Sequence, residues 1–394
     1  MSGRTLAVYV HIPFCTVKCG YCDFNAYAGM DDLKSAYGRA LVAEVHASAS
    51  ALREREVISI GFGGGTPGEV PSADIAAVIE AVRSEATVAD EVEISLEANP
   101  GTTGATALAE LRSAGVNRIS FGAQSFNAAE LRFLDRIHSP EANSSAIALA
   151  RSVGIPSIGC DLIYGIPGQT TETWLESLRS ATDSGVDHLS TYALTVEEGT
   201  PLARRVARGE VDMPDGDVLA DLYELATEEL EASGFEQYEL SNWARPGHQS
   251  RHNCAYWTDR EYLGIGAGAH GYLAGERYEN IAHPRDYVAA VSSSRGSTCA
   301  RASSYVPNAV TRMSDWLSLR LRLIEGFEPG EFRSAFGVDI EHVVGPVLEE
   351  CAAAGVLEFS QRVRLTRRGR LLHGEVSARV LAHLTRNSKL GTRN

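Results

Sequence analysis

The sequence predicts an α/β protein: six strand–helix units in series, then a small α+β module. Three observations carry this. Apolar, β-rich runs recur through the first half at 6–13, 57–63, 91–98, 118–123, 158–163 and 188–194. A glycine or proline turn and an amphipathic stretch follow most runs, with apolar residues three and four apart at 31–52, 72–86, 141–153 and 172–184. That rhythm stops after Leu194 and a different, compact one starts near residue 310.

Strands alternating with helices imply a parallel sheet with right-handed crossovers. Spacing alone leaves a barrel and an open doubly wound sheet both open. Asp31 and Ser72 suit helix N-caps. Residues 197–217 carry mixed charge and turn residues, and a helix is expected at 218–233. Residues 234–300 are rich in Gly, Tyr, Trp and His with little period, and 291–304 reads as a loop. Helices at 315–324, 329–336 and 340–354, strands at 356–359 and 363–365, and a helix at 370–384 describe a winged-helix-like module. The expected units are 1–235, 236–305 and 306–394.

The 394 residues carry a formal charge of −15, with 44% apolar and 22% charged residues. This is ordinary globular composition and enough chain for a sizeable core. The negative charge argues against broad binding to nucleic acid or anionic membranes. The third helix of the terminal module is acidic and apolar, so packing or partner contact is expected of it rather than DNA binding. No run of about 18 apolar residues exists, so no integral membrane segment is expected. The amino-terminal stretch lacks the length and cleavage site of a signal peptide, which predicts a cytoplasmic protein.

Of seven cysteines, three are bunched as Cys15, Cys19 and Cys22, a C-x3-C-x2-C spacing just beyond the first strand. Such a cluster reads as a metal site rather than a disulfide framework. Zinc would need a fourth ligand, for which remote His11 is the candidate. Three thiolates on an iron–sulfur cubane would leave one iron for an external ligand. Three buried structural cysteines are the plain alternative. Polar or glycine features then close strand after strand. These are Gly63-Gly64-Gly65-Thr66-Pro67, Glu97-Ala98-Asn99, Gly122-Ala123-Gln124 with Arg136 beyond, Asp161, and Tyr192-Ala193. In a β/α barrel those strand ends share one face, where ligands bind. A glycine run lets backbone N–H groups approach a ligand, and an acid at a strand end can accept from ribose hydroxyls.

The stretch YVHIPFCTVKCGYCDF resembles the signature of radical S-adenosylmethionine (SAM) enzymes, specifically the branch of oxygen-independent coproporphyrinogen III dehydrogenase. The resemblance implies a partial (β/α)6 barrel in which the three cysteines hold a 4Fe-4S cluster. Its fourth iron takes SAM, and the reduced cluster cleaves SAM to a deoxyadenosyl radical. It also implies SAM contacts at Tyr9, Gly64, Gly65, Thr66, Glu97, Gln124, Arg136, Asp161 and Ala193, with Tyr21 beside the cysteines as a further cofactor contact. That branch holds one SAM on the cluster and has room for a second.

Two departures refine this. The dehydrogenase motif carries one more cysteine two residues on, where this chain has Phe24. The pattern His252-Asn253-Cys254-Ala255-Tyr256-Trp257 resembles the H-N-x-x-Y-W of the HemW proteins, regarded as haem chaperones, within the extension 236–305. It implies binding of haem and its delivery to haem-accepting proteins. A neutral imidazole is a common axial ligand, so His252 is the first choice, with Tyr256 and Trp257 as flat contacts and Cys254 as a competing thiolate. The plain alternative is that His252 and Asn253 brace a loop while the aromatics pack in the core. The glycine-dense 262–271 is expected near the SAM pocket. The rival function is oxidative decarboxylation of coproporphyrinogen III. The sequence specifies neither the haem recipient nor an electron donor.

Overall fold

The computed structural model describes residues 5–293, 296 and 298–390. Six parallel strands form its centre: β1 (Thr5–Ile12), β2 (Glu56–Gly64), β3 (Thr87–Ala98), β4 (Arg118–Gln124), β5 (Ser157–Tyr164) and β6 (His188–Ala193). Their apolar runs are buried nearly throughout because helices cover the outer face, as a parallel sheet requires. Chain order equals spatial order across all six, as expected for successive right-handed units.

Residues 236–305, expected as a unit of their own, extend this same sheet on both edges. Beyond β6 lie β7 (Glu236–Glu239) and β8 (Asn242–Ala244), with β8 antiparallel to β6. On the other side β9 (Glu261–Ile265) adds parallel to β1, followed by antiparallel β10 (His270–Leu273), β11 (Glu276–Asn280) and β12 (Arg301–Tyr305). The sheet order is β12-β11-β10-β9-β1-β2-β3-β4-β5-β6-β8-β7. The loop expected at 291–304 falls partly on residues 294, 295 and 297, outside the described residues; its flanks are the helix Pro284–Ser293 and β12. Residues 1–4 of the amino-terminal stretch also lie outside them.

Helix positions follow the apolar period, but their caps differ from expectation. Asp31 opens a 3-10 turn and pairs with Lys34 at 2.7 Å, and Leu33 is the N-cap of Lys34–Ala47. Ser72 is the first helical residue of Ser72–Glu85, after Pro71, and its hydroxyl donates to Glu110. Side chains do cap elsewhere: Thr170 and Thr173 form a reciprocal box and Asp215 accepts from Val218 N–H. Pro201–Ala207, inside the stretch read as turns, is a helix capped by Thr200.

The carboxy-terminal module has its own apolar core around Trp316, Phe327, Phe332, Leu348 and Val380. Helices Ala309–Arg320, Pro329–Phe336 and Ile340–Ala353 precede the hairpin β13 (Leu357–Phe359) and β14 (Val363–Leu365), and His373–Leu390 closes it. Leu240 joins this core from the main sheet, and buried Glu239 pairs with Arg322 at 2.8 Å. The module is thus pinned to the β7 edge. Among the described residues no helix is long and apolar enough to cross a membrane.

Candidate cofactor-binding site

The six parallel strands curl so that their carboxyl ends surround one cavity of about 420 Å³. Cys15, Cys19, Cys22 and Tyr21 line it from the loop after β1. Gly64, Gly65 and Thr66 come from β2, Glu97 and Asn99 from β3, Gln124 and then Arg136 from β4, Asp161 from β5, and Ala193 from β6. Of the barrel and the open doubly wound sheet that spacing left open, the strands therefore form the partial barrel.

Local geometry explains the glycines. At Gly64 φ is +112°, and a Cβ would sit 2.5 Å from the His11 ring. A Cβ on Gly63 would stand 2.9 Å from a Glu97 carboxylate oxygen. Side chains here would fill the space between β2 and its neighbours, so only bare backbone fits. Gly64 N–H donates to Glu97 Oε2 at 3.3 Å. Burial, then the charge of Asp161, push the Glu97 carboxyl up to about 7. Burial also raises Asp161, although the Ser120 hydroxyl donates to it at 3.0 Å.

The cysteine loop is fastened at several points. Cys15 Sγ lies 3.4 Å from Thr66 Oγ1, and Arg136 Nη1 lies 3.6 Å from Cys19 Sγ. Arg136 also donates to Gly122 O at 2.7 Å and to Asn99 Oδ1. Gly20 N–H donates to Asp135 Oδ2 at 3.1 Å, and its carbonyl accepts from Leu202 N–H at 2.8 Å. Asp135 has φ +55°, a conformation that costs a non-glycine residue and here aims its carboxylate at the loop. Asp135 was missed in the sequence, where an exposed aspartate after a helix carries no signal.

All three thiols are free and half-buried, and burial raises those of Cys15 and Cys22. Among the described residues no three metal-binding side chains converge on a point suited to a single ion. A cubane with separate iron corners makes no such demand. The zinc alternative loses its fourth ligand: His11 Nδ1 meets Tyr9 Oη at 3.0 Å and its Nε2 meets Asn25 O at 2.9 Å. Three thiols with no fourth side-chain ligand among the described residues fit an iron–sulfur cluster with one open corner.

Tyr9 and His252 are not on the cavity lining. Helix Arg251–Trp257 plugs the opposite end of the barrel. Its N-terminus is held by the buried Glu93 carboxylate, which accepts from Arg251 N–H at 3.0 Å, His252 N–H at 2.9 Å and the Ser250 hydroxyl at 3.2 Å. The His252 ring lies between Ser59 Oγ at 3.0 Å and Tyr256 Oη at 2.9 Å, and stacks tilted on Tyr9. It is 6% exposed, and burial lowers its pKa to about 4. Both ring nitrogens are thus engaged, and axial ligation by His252 would require this helix to unseat. Tyr256 packs edge-on to Tyr262 at 4.8 Å and Trp257 lies under the Arg322 guanidinium at 4.3 Å. Burial pushes the Cys254 thiol up to about 12. The glycine-dense turn after β9 backs onto His11 O and Asn25 rather than onto the cavity. Glu93 was also missed; its signal is the period-two inward row Glu93, Ser95, Glu97.

The Radical SAM superfamily is matched over residues 9–181 and the HemN C-terminal domain over 310–372. The heme chaperone HemW of Mycobacterium tuberculosis is 39% identical over 97% of this chain and 96% of its own length. The chain belongs to the HemW family. The HemW of Bacillus subtilis is 32% identical over 96% of this chain and 100% of its own length. The solved coproporphyrinogen III oxidase (HemN) of Escherichia coli, a radical SAM enzyme, superposes with a TM-score of 0.82 over 96% of this chain and 90% of its own, at 23% identity. That likeness shows the shared fold. For a HemW protein, membership of the radical SAM superfamily implies a 4Fe-4S cluster and SAM.

Proposed function

We propose that this chain is a cytoplasmic haem chaperone that holds a 4Fe-4S cluster and SAM, and carries haem to haem-accepting proteins. One observation carries the cofactor half: three free thiols face the same cavity as Gly64, Gly65, Thr66, Glu97, Gln124, Arg136, Asp161 and Ala193. The haem half rests on the relatives named heme chaperones. Cys15, Cys19 and Cys22 would hold the cluster, which when reduced supplies the electron for SAM cleavage.

The chain's own groups divide the work. The bare backbone of Gly64 and Gly65 leaves room for the carboxylate and amine of an amino acid, with N–H groups as donors. Glu97 offers two acceptor oxygens to a ribose diol. Arg136 braces the cysteine loop and offers positive charge. Asp161 and Gln124 hold polar atoms at the cavity wall. Tyr9 acts behind this wall, through His11.

Phe24 stands at the mouth, 61% exposed, where the dehydrogenase branch has its further cysteine. That substitution favours the chaperone over coproporphyrinogen decarboxylation. The test is anaerobic reconstitution with iron and sulfide, then separate haem titration, SAM-cleavage and coproporphyrinogen assays. Stoichiometric haem binding without protoporphyrinogen formation is expected. Multi-turnover protoporphyrinogen formation would overturn the reading.

A further inference from the structure

If haem is cargo, its iron needs a ligand, and His252 offers no free nitrogen. The other histidines can be sorted by their hydrogen bonds. A carbonyl oxygen only accepts, so a ring nitrogen bonded to one must carry the proton. Its partner nitrogen is then a lone pair ready for metal, the arrangement found in nearly all metal-binding histidines. Among the described residues, His138 and His373 combine one nitrogen against a backbone carbonyl with no hydrogen bond at the other. His138 Nε2 lies 3.1 Å from Ala123 O, and His373 Nε2 lies 2.8 Å from Ser318 O. His11 also faces a carbonyl, but its second nitrogen meets Tyr9.

Position separates the two. His373 lies in the carboxy-terminal module, on a separate core. His138 lies on the shoulder of the cavity: Ala123 sits between the lining residues Gly122 and Gln124, and Arg136, two residues before His138, reaches Cys19. Beside it Ile137 is 69% exposed, an isoleucine with nothing of the protein over most of it. A flat apolar macrocycle bonded to His138 could cover it. The exposed Val17 and Phe24 add apolar surface on the lining of the cavity itself.

We infer that His138 Nδ1 is the axial ligand of haem, with the macrocycle lying against Ile137 on the outer shoulder of the cofactor cavity. This rests on the haem-carrying reading above. Burial and the charge of Arg136 hold the His138 pKa down to about 4, so the imidazole is neutral at physiological pH and needs no deprotonation to bind iron. The Ala123 carbonyl fixes the tautomer and the ring orientation. A haem here would sit beside the cysteine loop, so its arrival and departure could be felt by the cluster site through Arg136.

The test is titration of the full chain with haemin, read by Soret difference spectra and by EPR of ferric haem. Wild type is compared with His138→Ala, His138→Cys, His373→Ala and His252→Ala. Expected for His138→Ala is a loss of the histidine-ligated signature and weakening by roughly tenfold or more. Expected for His138→Cys is a shift to a thiolate-type spectrum, which a merely structural role would not produce. Imidazole added to His138→Gly should restore the wild-type spectrum, which separates ligand loss from misfolding. Wild-type spectra and affinity in both His138→Ala and His138→Cys overturn the assignment while leaving the haem reading standing. Loss confined to His373→Ala or His252→Ala overturns it in favour of that residue. Absence of haem binding by the wild type defeats the haem reading itself.

Discussion

Gly61 lies in β2 opposite Tyr9, and the His252 ring occupies the place its side chain would take. A Cβ there would stand 2.6 Å from Nε2 and 2.8 Å from Cδ2 and Cε1. Ordinary contact needs about 3.5–4.0 Å, so the ring of a Gly61→Ala variant must retreat by about 1 Å. It cannot do so and keep both Ser59 at 3.0 Å and Tyr256 at 2.9 Å. Overpacking costs ~1–3 kcal/mol and one broken hydrogen bond ~1 kcal/mol, giving about 2–4 kcal/mol. For a domain this large that is a fall in Tm of roughly 4–8 °C. The double variant Gly61→Ala, His252→Ala supplies the sharper check. Removing the ring makes room for the new methyl, so the two changes should be non-additive by about 1–3 kcal/mol. Denaturant unfolding of the four proteins measures it. Additivity within about 0.5 kcal/mol, or a Gly61→Ala variant as stable as wild type, refutes the packing of His252 against β2.

Glu93→Ala removes the acceptor for Ser250, Arg251 and His252 and leaves Arg118, 3.8 Å away, without its carboxylate. The expected cost is ~3–5 kcal/mol, with earlier hydrogen exchange in helix Arg251–Trp257 than elsewhere in the barrel. Glu97, raised to about 7, binds a proton in the folded state that the unfolded chain has released above about 4.5. Stability of the cofactor-free protein therefore falls as pH rises from about 4.5 through 7, and Glu97→Gln should flatten that slope in pH-dependent unfolding. Glu97 is exposed within the cavity, so solvent screening keeps the effect small. Glu239→Ala leaves Arg322 without the fully buried carboxylate it pairs with at 2.8 Å. Limited proteolysis should then cut between barrel and module sooner, with the cysteine-loop chromophore unchanged.

The six strands were legible because a strand buried on both faces reads as an unbroken apolar run. Helix Ala105–Ala114 was not, since its alanine-rich sequence has only Leu108 and Leu111 to mark a face. Helix Arg251–Trp257 was invisible for another reason. It has seven residues and is held by Glu93, a residue more than 150 positions earlier. Tertiary structure, not local period, makes it a helix. The strand-end residues stand round one cavity because β/α alternation puts every carboxyl end on the same side. His252 and Tyr256, four apart, share a helix face by spacing alone. Nothing in that spacing says whether the face looks out to a ligand or into a barrel.

The two ends of the barrel differ in how their polar atoms are satisfied, and that difference assigns their roles. At the closed end, Glu93 meets three donors and His252 meets Ser59 and Tyr256. A ligand there would have to break bonds already made inside the protein, each costly in a buried setting. At the open end, among the described residues, Glu97 accepts only from Gly64 N–H and the Gln124 side chain makes no hydrogen bond although φ +66° strains its backbone. The Glu97 and Gln124 side chains thus keep hydrogen-bonding capacity on the wall that the three thiols share. It follows that the H-N-x-x-Y-W segment builds the floor on which the cofactor cavity stands. On the inference drawn above, a bulky planar cargo would meet the molecule from the open side, at the shoulder marked by Ile137 and His138.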